Sequence, residues 1–108
     1  MIHELRIYRV LPGRMPALLD RFQNHTLRIW DRHGIRQAGF WTTLVGSSNI
    51  ELTYLIAWES LAEREARWGA FMADPEWLAV RAETEREAPI VAEISNQFLQ
   101  PTVFSAVR

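Results

Sequence analysis

Apolar and polar residues alternate from Ile2 to Val10. His3, Leu5 and Ile7 fall on one side, and Ile2, Glu4, Arg6, Tyr8 and Val10 on the other. That two-residue period predicts a strand. Pro12-Gly13 predicts a turn. Beyond it the period lengthens: Met15, Leu18, Leu19, Phe22, Thr26, Ile29 and Trp30 recur at three- and four-residue steps, with Asp20, Asn24, Arg28 and Asp31 between them. This is the pattern of an amphipathic helix. Pro16 fits because it sits in the first turn, and Gly34 suits the C-terminal end.

The second half repeats the theme with one extra strand. Gly39 to Val45 reads as a strand, Gly46-Ser47-Ser48-Asn49 as a hairpin loop, and Glu51 to Glu59 as the returning strand. Ser60-Leu61-Ala62-Glu63 has the spacing of a capping box, in which the Ser60 hydroxyl and the Glu63 carboxylate satisfy amides at a helix start. The helix runs through Trp68, Phe71 and Met72. It restarts at Asp74-Pro75, with Asp74 as N-cap and Pro75 at the first helical position, and reaches about Glu87 before Pro89. Ile90 to Leu99 supplies a fourth strand, ended by Pro101. The order β-α-β-β-α-β predicts a ferredoxin-like α+β domain over residues 1–108, with a four-stranded antiparallel sheet and both helices on one face.

Helices on one face leave the other to water or to a partner. Trp41, Tyr54, Ile56 and Trp58 are expected to share one face of the sheet, and Phe40, Leu44, Leu52 and Leu55 the other. An aromatic-rich open face exceeds the apolar patch that monomers tolerate. The expectation is therefore a homodimer, sheet against sheet, closing a barrel. In that arrangement Glu4, Arg6 and Tyr8 point into the space between the sheets, and His3 faces the helices. Charged groups there must pair or bind something polar. Aromatic walls with a few polar groups describe a small-molecule pocket, so Glu4, Arg6, Tyr8, Trp41, Tyr54 and Trp58 form the candidate ligand-binding set.

The segments Glu4-Leu5-Arg6-x-Tyr8, Pro12-Gly13 and His25, Gly39-x-Trp41-x-Thr43, Trp58-x-Ser60-Leu61-Ala62-x-Arg64, Asp74-Pro75-Glu76-Trp77 and Pro101-Thr102-Val103-Phe104-Ser105 occur in this order across nearly the whole chain. Together they resemble the NIPSNAP family of the dimeric α+β barrel superfamily. The resemblance implies a ferredoxin-like domain that dimerises through its sheet. It implies no single reaction, because the family has no generally agreed activity. The wider superfamily includes cofactor-independent monooxygenases, haem-degrading enzymes and isomerases, and that is analogy by fold. Tyr54 and Trp58 stand where many relatives carry a His and a Tyr, so no role of that His carries over.

Composition narrows the function further. The chain has 108 residues, no cysteine and a net charge of −1. It offers no thiol chemistry or disulfides, and its charge argues against nucleic acid as a partner. No apolar run approaches the roughly 20 residues of a membrane span, and Met1 to Arg6 lacks a signal-peptide layout, so the expected location is the cytoplasm. All 12 basic residues are arginine. His3, His25 and His33 lack metal-ligand spacing, and no nucleotide-binding motif occurs, so neither metal nor cofactor is expected. His25 is the one haem-ligand candidate, by the superfamily analogy. The leading reading is a homodimer that binds a small apolar or aromatic molecule. The alternative is a cofactor-independent monooxygenase or isomerase, with Tyr8 or Tyr54 as proton donor and Glu4 as base. Arg64 is expected to bond strand-end carbonyls.

Overall fold

In the computed structural model, which describes all residues Met1–Arg108, four strands form one antiparallel sheet in the order β2-β3-β1-β4. They are β1 (Ile2–Val10), β2 (Arg36–Thr42), β3 (Glu51–Trp58) and β4 (Val91–Leu99). The helices are α1 (Met15–Arg21), α2 (Leu27–Arg32), α3 (Leu61–Met72) and α4 (Pro75–Thr84). This is the ferredoxin-like order, with the helices against one face. No helix is long and apolar enough to cross a membrane.

The local signals act as their chemistry requires. The Ser60 hydroxyl accepts the Glu63 amide at 3.1 Å, and the Glu63 carboxylate accepts the Glu59 amide at 3.1 Å. Asp74 caps α4 by accepting the amides of Glu76 at 2.8 Å and Trp77 at 3.4 Å. Gly34, at φ +70°, closes α2 in the left-handed region that other residues avoid.

Three boundaries differ from the sequence reading by more than one residue. The β2 strand starts at Arg36 rather than Gly39, because Gly34 turns the chain straight into the sheet and Ile35 is buried. It ends at Thr42, so the loop to β3 is longer than the four residues expected. The α4 helix ends at Thr84, short of Glu87. The first helix is also not one regular rod. A π-helical turn, Phe22–Thr26, joins α1 to α2, and the Thr26 hydroxyl bonds the Arg21 carbonyl at 3.3 Å.

The facing of the sheet is the main correction. Glu4, Arg6, Tyr8 and Val10 lie under the helices, buried with Leu52, Tyr54, Ile56 and Trp58. They do not face the space beyond the sheet. His3, Leu5 and Ile7 alternate to the face away from the helices, the reverse of the expectation for His3, which is nonetheless buried there at 5% exposure while Leu5 and Ile7 are half-buried. Phe40 pairs with Tyr54 in register and stacks on it, with ring centroids 4.6 Å apart, so it shares the helix side. Trp41, its neighbour in the strand, is on the opposite face and 52% exposed. Leu55 joins the uncovered face, and Leu44 lies exposed in the loop. Phe22 packs edge to face on Trp30, Phe40 and Tyr54 inside the protomer, between the helices and the sheet.

Candidate functional site

Glu4 is 0% exposed and would be untenable there without partners. It has five donors. Arg6 Nη1 lies 2.9 Å from its Oε2, and Asn96 Nδ2 2.9 Å from the same atom. The indole N–H of Trp58 donates to Oε1 at 3.1 Å. From α3, Arg64 reaches both oxygens at 3.2 Å. Burial pushes the Glu4 carboxyl up, but the hydrogen bonds from Arg64, Asn96 and Arg6 outweigh it and hold its pKa below the usual range. A carboxylate so engaged is no general base. Arg64 thus bonds a carboxylate, not the carbonyls expected of it.

Arg6 extends the network toward the helices. Its Nε donates to the Tyr54 hydroxyl at 2.8 Å and its Nη2 to the Tyr8 hydroxyl at 3.4 Å. The two hydroxyls are 3.0 Å apart, with Tyr54 donating to Tyr8. The guanidinium carbon sits 4.5 Å from the centroid of the Trp68 ring. Burial works against the charge on Arg6, but the neighbouring tyrosines hold its pKa above the ordinary value. Burial raises the Tyr54 phenol well above its usual range, so it remains a hydroxyl.

This network forms one wall of a cleft of about 350 Å³ between the sheet and the helices. Arg6, Tyr8, Phe22, Trp30, Trp68 and Phe71 contribute to its lining. The edge strand β4 forms its rim through Val91 to Ile94. Of the six candidate residues, Arg6 and Tyr8 line the cleft. Glu4, Tyr54 and Trp58 stand behind it as buried support. Trp41 belongs to the other side of the sheet.

The sequence reading missed Arg21. It lines the same cleft and is 5% exposed. Its position three residues after Leu18 places it on the apolar stripe, but its charge set it aside. Its guanidinium carbon lies 5.2 Å from the centroid of the Trp77 ring. Its Nε has no hydrogen-bond partner in the protein, nor have the indole nitrogens of Trp30 and Trp77. Burial lowers the Arg21 pKa, against the opposing charge of Glu85.

The histidines sit elsewhere. His33 Nε2 lies 2.6 Å from Asp74 Oδ2 and ties the end of α2 to the start of α4. His25 is half-buried and does not line the cleft. No three His, Cys, Asp or Glu side chains converge as a metal-binding group.

A four-stranded antiparallel sheet backed on one face by helices, in the order β-α-β-β-α-β, defines a ferredoxin-like α+β fold. The chain matches the NIPSNAP family over residues 3–106 and belongs to it. It is similar to Atu4242 from Agrobacterium tumefaciens, at 29% identity and a TM-score of 0.88, with 100% of both chains covered. A NIPSNAP domain protein from Burkholderia xenovorans matches at 28% identity and a TM-score of 0.83, covering 97% of this chain and 98% of that one. The fold also extends to a MhuD variant that has two manganese protoporphyrin IX bound per active site. That likeness is at 17% identity and a TM-score of 0.65, covering 97% of this chain and 98% of the other. No curated protein matches the chain.

Proposed function

We propose that this NIPSNAP chain binds a small, flat, largely apolar molecule in the cleft between its helices and its own sheet. The observation that carries this reading is the cleft wall. A volume of about 350 Å³ is bounded by Tyr8, Phe22, Trp30, Trp68 and Phe71, with the Arg6 guanidinium among them. Concave, aromatic surfaces with a few fixed polar groups are the usual form of small-molecule sites. The binding volume thus moves from between two sheets to within one protomer.

A homodimer through the uncovered sheet face accompanies this reading. Leu5, Ile7 and Leu55 lie side by side there, with Trp41 at 52% exposure beside them. Their burial against a second copy removes apolar area from water and leaves the cleft open on the helix side.

The test is a thermal-shift panel of planar aromatic compounds, including quinones and polycyclic phenols. Binding raises Tm, and Trp68→Ala, which removes part of the wall, abolishes the rise. A panel without any shift at millimolar ligand overturns the reading. The alternative, an oxygenase or isomerase without a metal or nucleotide, keeps Tyr8 as a proton donor on the cleft wall. It loses Glu4 as its base, since that carboxylate has five donors on it.

A further inference from the structure

We propose that the occupant of the cleft carries a carboxylate or an equally acidic oxygen, taken up by the Arg21 guanidinium and the Tyr8 hydroxyl. This rests on the cleft being a binding site and names the class of ligand it takes.

The first ground is the contrast between the two buried arginines of the wall. Arg6 is matched to an anion: Glu4 lies 2.9 Å away, and Tyr54 and Tyr8 accept from its other nitrogens. Arg21 is not. Its nearest carboxylate oxygen is that of Glu85 at 3.9 Å, and that same oxygen is 3.5 Å from Arg81. Its one hydrogen bond is a long contact of Nη1 with Thr84 Oγ1, at 3.4 Å. Its Nε has none. A guanidinium is always charged and presents its donors as a planar fork suited to carboxylates. A buried one without a close anion calls for one.

The second ground is the bookkeeping of protons at Tyr8. Two hydroxyls in mutual contact use one proton between them, which leaves the other free. Tyr54 is fully buried, so its proton goes to Tyr8 at 3.0 Å. The Tyr8 oxygen then accepts from Tyr54 and from Arg6. Its own proton has no acceptor in the protein, and the residue lines the cleft. Donation from Arg6 through Tyr54 polarises this hydroxyl toward an incoming oxygen.

The third ground is that the shortfall has one sign. The buried side-chain atoms without partners, Arg21 Nε, Trp30 Nε1 and Trp77 Nε1, are all N–H donors, and all belong to residues of this cleft. Its carboxylates, Glu85 and Glu93, already face Arg21, Arg81 and Arg9. These three atoms are closed to solvent, so an occupant meets Arg21 through its terminal nitrogens, of which Nη2 makes no hydrogen bond in the protein.

Calorimetric titration of the full chain with acid and ester pairs tests the proposal. The probes are 2-naphthoate, 4-biphenylcarboxylate and 9-anthroate, each with its methyl ester. At least one acid binds about tenfold or more tightly than its own ester. Arg21→Met removes that preference while the ester still binds, and Tyr8→Phe lowers it several-fold. Arg21→Lys, which keeps charge without the fork, falls between. Should Arg21→Met fail to fold, as judged by circular dichroism, the wild-type ratio and Tyr8→Phe decide. Esters that bind as tightly as acids overturn the acidic-ligand proposal and leave the cleft reading standing. If neither acids nor esters bind, both fall together.

Discussion

Arg64 and Glu4, 60 positions apart in sequence, meet in a two-point contact in which Nε and Nη2 of the arginine each lie 3.2 Å from a different carboxylate oxygen. One end of the contact is on the first strand and the other on the third helix. The pair therefore locks the helical layer to the sheet directly behind the cleft wall. With Arg6 and Trp58 on the same carboxylate, it is a structural anchor and not a reacting group.

Removing that anion leaves two arginines facing each other under the helices. Glu4→Gln is expected to destabilise the fold by about 3 kcal/mol, in the range for breaking one partner out of a buried ion pair. Urea denaturation measures it. A loss below about 1 kcal/mol contradicts the anchoring role.

The Tyr54 hydroxyl accepts from Arg6 and donates to Tyr8, so Tyr54→Phe leaves the Arg6 Nε unpaired in the core. The expected loss is about 1–3 kcal/mol. Tyr8→Phe costs less, since Arg6 keeps Tyr54 and Glu4. The order of the two variants in denaturant midpoint checks this.

Acid sensitivity has a local source in Asp74. The hydrogen bond from His33 leads the causes that draw its pKa down from 3.8 to about 2, with the Glu76 and Trp77 amides and Arg32 adding to it and desolvation opposing. A folded-state pKa below the unfolded one means the stabilisation is complete above pH 3.8 and fades as pH falls through about 2. Asp74→Asn is expected to lower stability at neutral pH and to flatten this acid limb. A pH series of melting curves shows it. An unchanged slope between those two values refutes the assignment.

The uncovered face predicts a dimer that a single charge disrupts. Light scattering on the wild type at micromolar concentration should give twice the chain mass. Ile7→Glu should give a monomer with an unchanged circular dichroism spectrum. A monomeric wild type removes the dimer from the proposed function.

The capping box at Ser60 and the Asp74-Pro75 start are legible in the sequence, because each depends on neighbours within a few residues, and the succession β-α-β-β-α-β is legible from periodicity. The facing of β1 is not. Alternation sorts Glu4, Arg6 and Tyr8 into one set, but both sets mix apolar and polar residues. Charge argues for the outer face until the cancelling charges on Arg64 and the amide of Asn96 are known to sit nearby. The facing of β2 is hidden by a shift of parity. Its register shifts between Gln37 and Gly39, and pairing places Phe40, not Trp41, beside Tyr54. Two of the six candidate residues therefore reach the cleft, and Arg21, whose spacing fitted the buried stripe, was hidden by its charge.

The widened turn at Phe22–Thr26 sets the angular phase of everything before it against everything after it. Each residue of a regular helix advances about 100°, so shortening this turn by one residue would swing Arg21 away from the side on which Trp30 stands. The cation and much of the ring surface it shares the cleft with lie on opposite sides of that seam. The same rotation would carry Leu18 and Phe22 out of their packing against the sheet, so the length of this seam is tied at once to the core and to what the cleft accepts.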